Sequence, residues 1–150
     1  MIYSKFQPGF SYIELVVALV IFVVLATVAY PSYQDSILRI RRAEARSALH
    51  SVLLQQERYY TAHNTYFAFS ADTNNSPFKW WSGDSPSGSY YEIQATPCAN
   101  KLLVQCVLLT ATPGTENVRR GDDPECGNLM LDSASKKTYS ADTVPNSSCW

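Results

Sequence analysis

Residues 10–31 read FSYIELVVALVIFVVLATVAYP, and the reading of this stretch decides the fold class. From Leu15 to Tyr30 there are 16 residues without a charge. With Phe10, Tyr12 and Ile13 in front, the apolar length reaches about 20 residues, roughly 30 Å as a helix, enough to cross the hydrocarbon core of a bilayer. Three kinds of segment share this composition. One is a cleaved signal peptide, for which Thr27-Val28-Ala29 offers a small-residue site. The second is a permanent anchor. The third is a retained apolar segment whose short leader lies wholly ahead of it. Glu14 weighs toward the third. A carboxylate costs about 2.5–3.5 kcal/mol near the centre of a span and less near its edge, and neither a plain signal peptide nor an anchor gains from it. A milder account is that Glu14 sits at the helix start, where the dipole favours a negative charge.

Downstream, Pro31 removes a helix hydrogen bond and crowds the preceding turn, so a kink or break is expected there. Apolar residues then recur at helical spacing: Ile37, Ile40, Ala45, Ala48, Leu49, Val52, Leu53, Tyr59 and Tyr60. The pattern predicts one helix from about Ser11 to about Thr61, ending near His63-Asn64, with the second half packed under a sheet and the first half protruding. Arg39, Arg41, Arg42 and Arg46 interleave with the stripe. They read as a solvated or headgroup-facing collar, as intersubunit ion pairs, or, less simply, as contacts to DNA; no aromatic interleaving accompanies them.

The rest of the chain reads as strands. A Ser-, Asn-, Pro- and Gly-rich loop at 67–89 holds Trp80 and Trp81, a pair suited to core packing or to a subunit contact. Alternating, β-branched runs follow at 90–96, 102–112 and 127–132, with a weaker one at 137–140. The fold class expected is α+β: one long N-terminal helix on a small antiparallel meander.

Composition excludes several functions. The chain has 150 residues and a formal charge of −1, too little to predict a nucleic-acid or anionic-membrane binder from charge alone. Cys98, Cys106, Cys126 and Cys149 all follow the hydrophobic segment, and an even count in an exported chain reads as disulfides. There is no CxxC, and His50 and His63 lie far away in helical sequence, so no metal site is expected. Asp122-Asp123 is the densest acidic pair, short of a calcium loop. No GxSxG or HExxH occurs, so neither an enzyme nor a cofactor is expected.

Gly9-Phe10-Ser11-Tyr12-Ile13-Glu14-Leu15-Val16 resembles the class III signal of type IV prepilins. The resemblance implies a leader at 1–9, cleavage between Gly9 and Phe10 by a prepilin peptidase, and N-methylation of Phe10. Glu14 becomes the fifth mature residue, which in this family is thought to pair with the N-terminal amine of a neighbouring subunit and so sets register. Ala29-Tyr30-Pro31-Ser32-Tyr33 resembles the family's junction, where Pro31 marks a helix break. Gln55-Gln56-Glu57-Arg58-Tyr59-Tyr60 with Asn64 and Tyr66, and the ending Cys126-Gly127-Asn128-Leu129 through Cys149-Trp150, resemble PilE-like minor pilins.

The resemblance implies the type IV pilin α/β-roll with a disulfide-closed C-terminal loop, Cys126 to Cys149. Cys98 and Cys106 fall outside that pattern; a turn over 99–105 would bring them together, and a mixed pairing stays open. The implied organisation is a leader at 1–9, a transmembrane and filament-core helix at 10–34 and a globular domain at 35–150. The implied route is a single-pass precursor in the inner membrane, then the extracellular pilus. The implied partners are other pilin subunits, the prepilin peptidase and the inner-membrane assembly machinery. The expected function is a minor pilin supporting pilus biogenesis, with adhesion, twitching motility or DNA uptake among its roles. A type II secretion pseudopilin and a DNA-binding competence pilin are the alternatives.

Overall fold

The computed structural model describes residue 9, residues 11–141 and residues 149–150; at 28, 29, 31 and 32 only the backbone is described. The chain divides into two units, Met1–Ile37 and Leu38–Trp150.

Helix α1 spans Tyr12–His63. In the first unit its described side chains are exposed and overwhelmingly apolar, Ile13 and Phe22 each at 70%. The backbone stays helical through Pro31, so the expected helix break is not seen in the single subunit. Proline costs one hydrogen bond, and the flanking turns on either side suffice to carry the helix across.

In the second unit, α1 buries Arg42, Ala45, Leu49, Val52, Leu53 and Gln56. Steps of three, four and seven place these on one face. Ile40 is off that face and 64% exposed, contrary to the expected stripe. α1 ends where Asn64 takes the left-handed conformation (φ 56°) and its N–H donates to Tyr60 O at 2.8 Å, the C-terminal closure that Asn or Gly allows.

Four strands follow: β1 Tyr91–Pro97, β2 Val107–Pro113, β3 Leu129–Asp132 and β4 Lys137–Tyr139. They form one antiparallel sheet in the order β1-β2-β3-β4. Alternate residues point inward: Tyr91, Ile93 and Ala95, then Val107, Leu109 and Ala111, then Leu129 and Leu131. With Ala45, Leu49, Val52 and Leu53 of α1 they make a single core, each large aliphatic contributing about 1.5–3 kcal/mol by burial.

Cys98 is bonded to Cys106 and Cys126 to Cys149. The first bond closes the β1–β2 connection. The strand expected over 102–112 begins only at Val107, because Gln105 and Cys106 donate their N–H groups to Leu102 O at 2.9 and 3.1 Å. Those turn bonds use donors that a ladder would need, and Leu102 and Val104 stay exposed. Along the outer side of β1, the 67–89 loop adds two isolated bridges, Phe69 to Ala95 and Trp81 to Glu92, which cover an otherwise open edge.

Candidate functional site

Three regions hold the candidate residues. At the start of α1, Gly9 precedes the helix, whereas Phe10, the expected cleavage and methylation position, lies outside the described residues. Glu14 stands in the first turn, its N–H donating to Ser11 O at 3.0 Å. Its carboxylate is exposed and meets no cation among the described residues. Leu15, Val17, Leu19, Val20 and Phe22 around it are all more than half exposed. Among the described residues no helix is long and apolar enough to cross a membrane.

The arginine cluster separates into different environments. Arg42 is no surface residue: its side chain is 4% exposed. Its Nε donates to Asp123 Oδ2 at 2.7 Å, and its Nη2 donates to Asp123 Oδ1 at 2.6 Å and Glu125 Oε2 at 2.8 Å. Tyr91 OH donates to Asp123 Oδ2 at 2.7 Å, and Cys126 N–H to Oδ1 at 3.1 Å. The expected contact of Arg42 with DNA or a neighbouring subunit is therefore corrected. A buried guanidinium needs a fully bonded counter-ion inside the fold, and Asp123 supplies it. Burial pushes the Asp123 carboxyl up, but the hydrogen bonds from Arg42, Tyr91 and Cys126 outweigh it and hold it below the usual aspartate range. Hydrogen bonding to Asp123 raises Arg42 against its own burial, and burial together with Asp123 raises the Tyr91 phenol.

Of the other arginines of the cluster, Arg39 is exposed, whereas Arg41 and Arg46 are half-buried. Arg46 Nε donates to Arg42 O at 3.3 Å. The Arg41 guanidinium lies 3.4 Å from the centre of the Tyr90 ring, and that of Arg119 lies 5.1 Å from the same centre. Among the described residues, none of these four arginines is in an ion pair.

The third region joins the end of α1 to the C-terminus. The buried Gln56 amide donates to Phe67 O at 2.7 Å and accepts from Phe67 N–H at 2.9 Å. Tyr66 OH donates to Glu57 at 2.8 Å, and Tyr60 OH to Val104 O at 3.2 Å. The Gln-Glu-x-Tyr-Tyr segment thus closes the loop after the helix. At the other end, Cys149 is buried, and Trp150 Nε1–H donates to Thr138 O at 2.9 Å beside Lys137 and His50. Residues 142–148 of that loop lie outside the described residues. Trp80 packs on the core edge-on to Trp81. Trp81 also lines a cavity of about 290 Å³ with Glu44, Ser47, Ser51 and Gln55, and its Nε1–H is buried without a partner among the described residues.

Sequence reasoning missed Asp123, Glu125 and Tyr91 as the partners of Arg42, and Tyr90 and Arg119 as the company of Arg41. The one sequence signal near these partners is Asp122-Asp123, an acidic pair without a calcium loop around it.

A single helix on a four-stranded meander, with an exposed apolar start and a disulfide-closed tail, defines a type IV pilin. Residues 31–130 match the family model described as "Type IV minor pilin ComP, DNA uptake sequence receptor", and the chain belongs to that family. It is similar to a fimbrial protein of Moraxella nonliquefaciens, 28% identical over 148 residues, 88% of each chain. It is also similar in structure to the non-core minor pilin PilV of Neisseria meningitidis: 18% identity over 74% of this chain and 94% of that one, with a TM-score of 0.50. A type IV pilin from Shewanella oneidensis matches over 75% of this chain and 96% of its own, at 28% identity and a TM-score of 0.45.

Proposed function

We propose that this minor pilin serves DNA uptake: it enters a type IV pilus at the cell surface and contributes there to the capture of extracellular DNA. The observation that carries this reading is the match of residues 31–130 to a family described as a DNA uptake sequence receptor. Arg39, Arg41, Arg46 and Arg119, which form no ion pair among the described residues, support it, since such side chains suit phosphate. In this reading the precursor sits in the inner membrane with residues 10–34 as its span. The prepilin peptidase cuts before Phe10 and methylates it, and the assembly machinery extracts the chain. Glu14 then guides it into register, because an unpaired carboxylate among packed apolar helices seeks a cation and a neighbour's N-terminal amine is one.

The test is deletion of the gene followed by three measurements: entry of labelled duplex DNA into a nuclease-resistant state, pilus number and twitching. The proposal expects DNA entry to fall while pili persist. Normal DNA entry with lost adhesion or twitching would overturn it. Intact mass of the native protein should show loss of residues 1–9 and one added methyl group. A mature chain beginning at Tyr30 would sink the processing route.

A further inference from the structure

The cavity of about 290 Å³ that Trp81 lines lies between α1 and the loop at 67–89. One wall is the helix. Ser47, Ser51 and Gln55 follow one another at steps of four, so they share a face and stand about 6 Å apart along the axis. All three are exposed, and none of their side chains forms a hydrogen bond among the described residues. The other wall is the loop, and the sheet holds it in place. Ile93 N–H donates to Trp80 O at 2.7 Å, and Ser82 N–H donates to Tyr91 O at 3.1 Å. The Ser82 hydroxyl donates to Glu44 at 2.7 Å and ties the loop to the helix beside the cavity. The cavity is therefore formed before any ligand enters, which lowers the ordering cost of binding. A second, more open cleft of about 470 Å³ also has Lys79 and Trp81 in its lining, so the two concavities adjoin.

The lining selects a class of ligand. Serine hydroxyls and a glutamine amide both donate and accept, so they suit a partner whose groups do the same. The one polar atom of the Trp81 ring, Nε1, is buried without a partner among the described residues. What Trp81 offers the cavity is thus apolar ring surface, and Ala48 and Val52 add to it. Glu44 and Lys79 are the charged residues of the lining. Being opposite in sign, one repels an anion and the other a cation. Each is also already bonded to the loop, Glu44 by the Ser82 hydroxyl and Lys79 to the Gly83 carbonyl. The ligand that fits is uncharged, carries hydroxyls that donate and accept, and has an apolar C–H face to lay on an aromatic ring. A hexose ring meets all three conditions, and its length is close to the step between Ser47 and Ser51.

We infer that this cavity binds one neutral pyranose sugar residue, with Trp81 against the C–H face of the ring and Ser47, Ser51 and Gln55 on its hydroxyls. The adjoining cleft gives a longer neutral glycan room to continue. The same chemistry serves a free sugar and the end of a surface glycan. The inference stands apart from the DNA-uptake reading, since the cavity contains none of the arginines that reading uses.

The test uses the full chain in a polyoxyethylene detergent, which brings no sugar head group. Saturation-transfer NMR is run with the methyl glycosides of glucose, galactose, mannose and N-acetylglucosamine, and with glucuronic acid and glucosamine as charged counterparts. At least one neutral glycoside should bind, and its charged counterparts should bind more weakly. Ser51→Leu puts a bulky apolar side chain into the cavity from an exposed helical position and should abolish the signal. Gln55→Ala should weaken binding about two- to tenfold, the value of one hydrogen bond. Trp81→Ala should weaken it about tenfold. Lys136→Gln is the comparison variant. It lies in the β3–β4 turn, across the sheet from the strand that the loop borders, and should bind as the native chain does. Lactose binding more tightly than methyl galactoside makes a surface glycan the source, and equal affinity makes it a free sugar; both uphold the site. Several results overturn the inference: no transfer to any neutral glycoside, charged sugars bound as well as neutral ones, or native affinity in S51L and Q55A. Native sugar binding by S51L together with fewer pili assigns the cavity to a neighbouring subunit and overturns it as well. DNA entry should be unchanged in S51L cells, so the sugar site and the DNA-uptake reading fail separately.

Discussion

Replacing Asp123→Asn isolates the strongest electrostatic feature of the fold. The substitution keeps the shape of the side chain and removes its charge, which leaves the Arg42 guanidinium 4% exposed with an amide where its counter-ion stood. Removing one partner of a buried pair costs about 3–5 kcal/mol. Glu125 remains 2.8 Å from Arg42 and is half exposed, so it compensates in part and the lower figure, about 3 kcal/mol, applies. That corresponds to a fall in Tm of roughly 6–12 °C for a chain of this size. The assay is thermal unfolding of the full chain in detergent, followed by circular dichroism across a pH series. The folded carboxyl titrates below its unfolded value. Its contribution is therefore fully present above the ordinary aspartate range, near pH 3.9, and disappears as the pH falls through the lower folded value. The native chain should lose stability along that acid limb, and D123N should lack this component. A compensated variant sharpens the test. Arg42→Met, Tyr91→Phe and Asp123→Leu together remove the buried polar side chains of the cluster, leave the half-exposed Glu125 to water, and should recover most of the loss, since a buried ion pair and its apolar replacement are often close in free energy. A loss below about 1 kcal/mol in D123N, with an unaltered acid limb, would refute the claim that this pair fastens the β2–β3 connection to α1.

Other consequences are simpler to measure. Glu14→Ala should stop pilus assembly while leaving cleavage before Phe10 largely intact, as read by pilus counts and the mass of the membrane-held chain; normal filaments would refute the register role. Cys126→Ser with Cys149→Ser opens the loop closed at a sequence separation of 23 and should cost about 3 kcal/mol in denaturant unfolding, with faster proteolysis near the C-terminus. Gln56→Leu removes both bonds to Phe67 and leaves its part-buried backbone N–H and C=O without their partners, at about 1 kcal/mol. The expected signature is lost hydrogen-exchange protection at Phe67.

The helix and the meander were legible because both rest on local periodicity. Asn64, which ends α1, and the alternation through Ile93 and Leu109 each announce themselves within a few residues. Errors arose where the answer lay far along the chain. Ile40 looks like a member of the apolar stripe, yet a turn of about 100° per residue places it beside Glu44 and Ser47, away from Ala45 and Leu49. Arg41 and Arg42 are chemically identical neighbours. The same rotation puts Arg42 in line with Ala45 and Leu49, hence inward, and swings Arg41 toward Tyr90. Asp123, the residue that makes an inward arginine tolerable, is 81 positions away, and nothing near it in the sequence signals a partner. Leu102 and Val104 mislead for a related reason: their β-rich pattern is overruled by the turn that the Cys98–Cys106 bond encloses.

The β2–β3 connection joins these observations into one mechanical argument. Its second half is fixed from behind, because Asp123 binds Arg42 and Tyr91 and the next buried residue, Cys126, is bonded to Cys149. Its first half is fixed from the side, through Ser89, Tyr90 and Glu92. Arg119 and Arg120 lie between, on backbone that is constrained at both ends while their guanidinium groups stay outside. The buried ion pair therefore contributes beyond stability: it converts a 15-residue connection, 114–128, into a rigid platform.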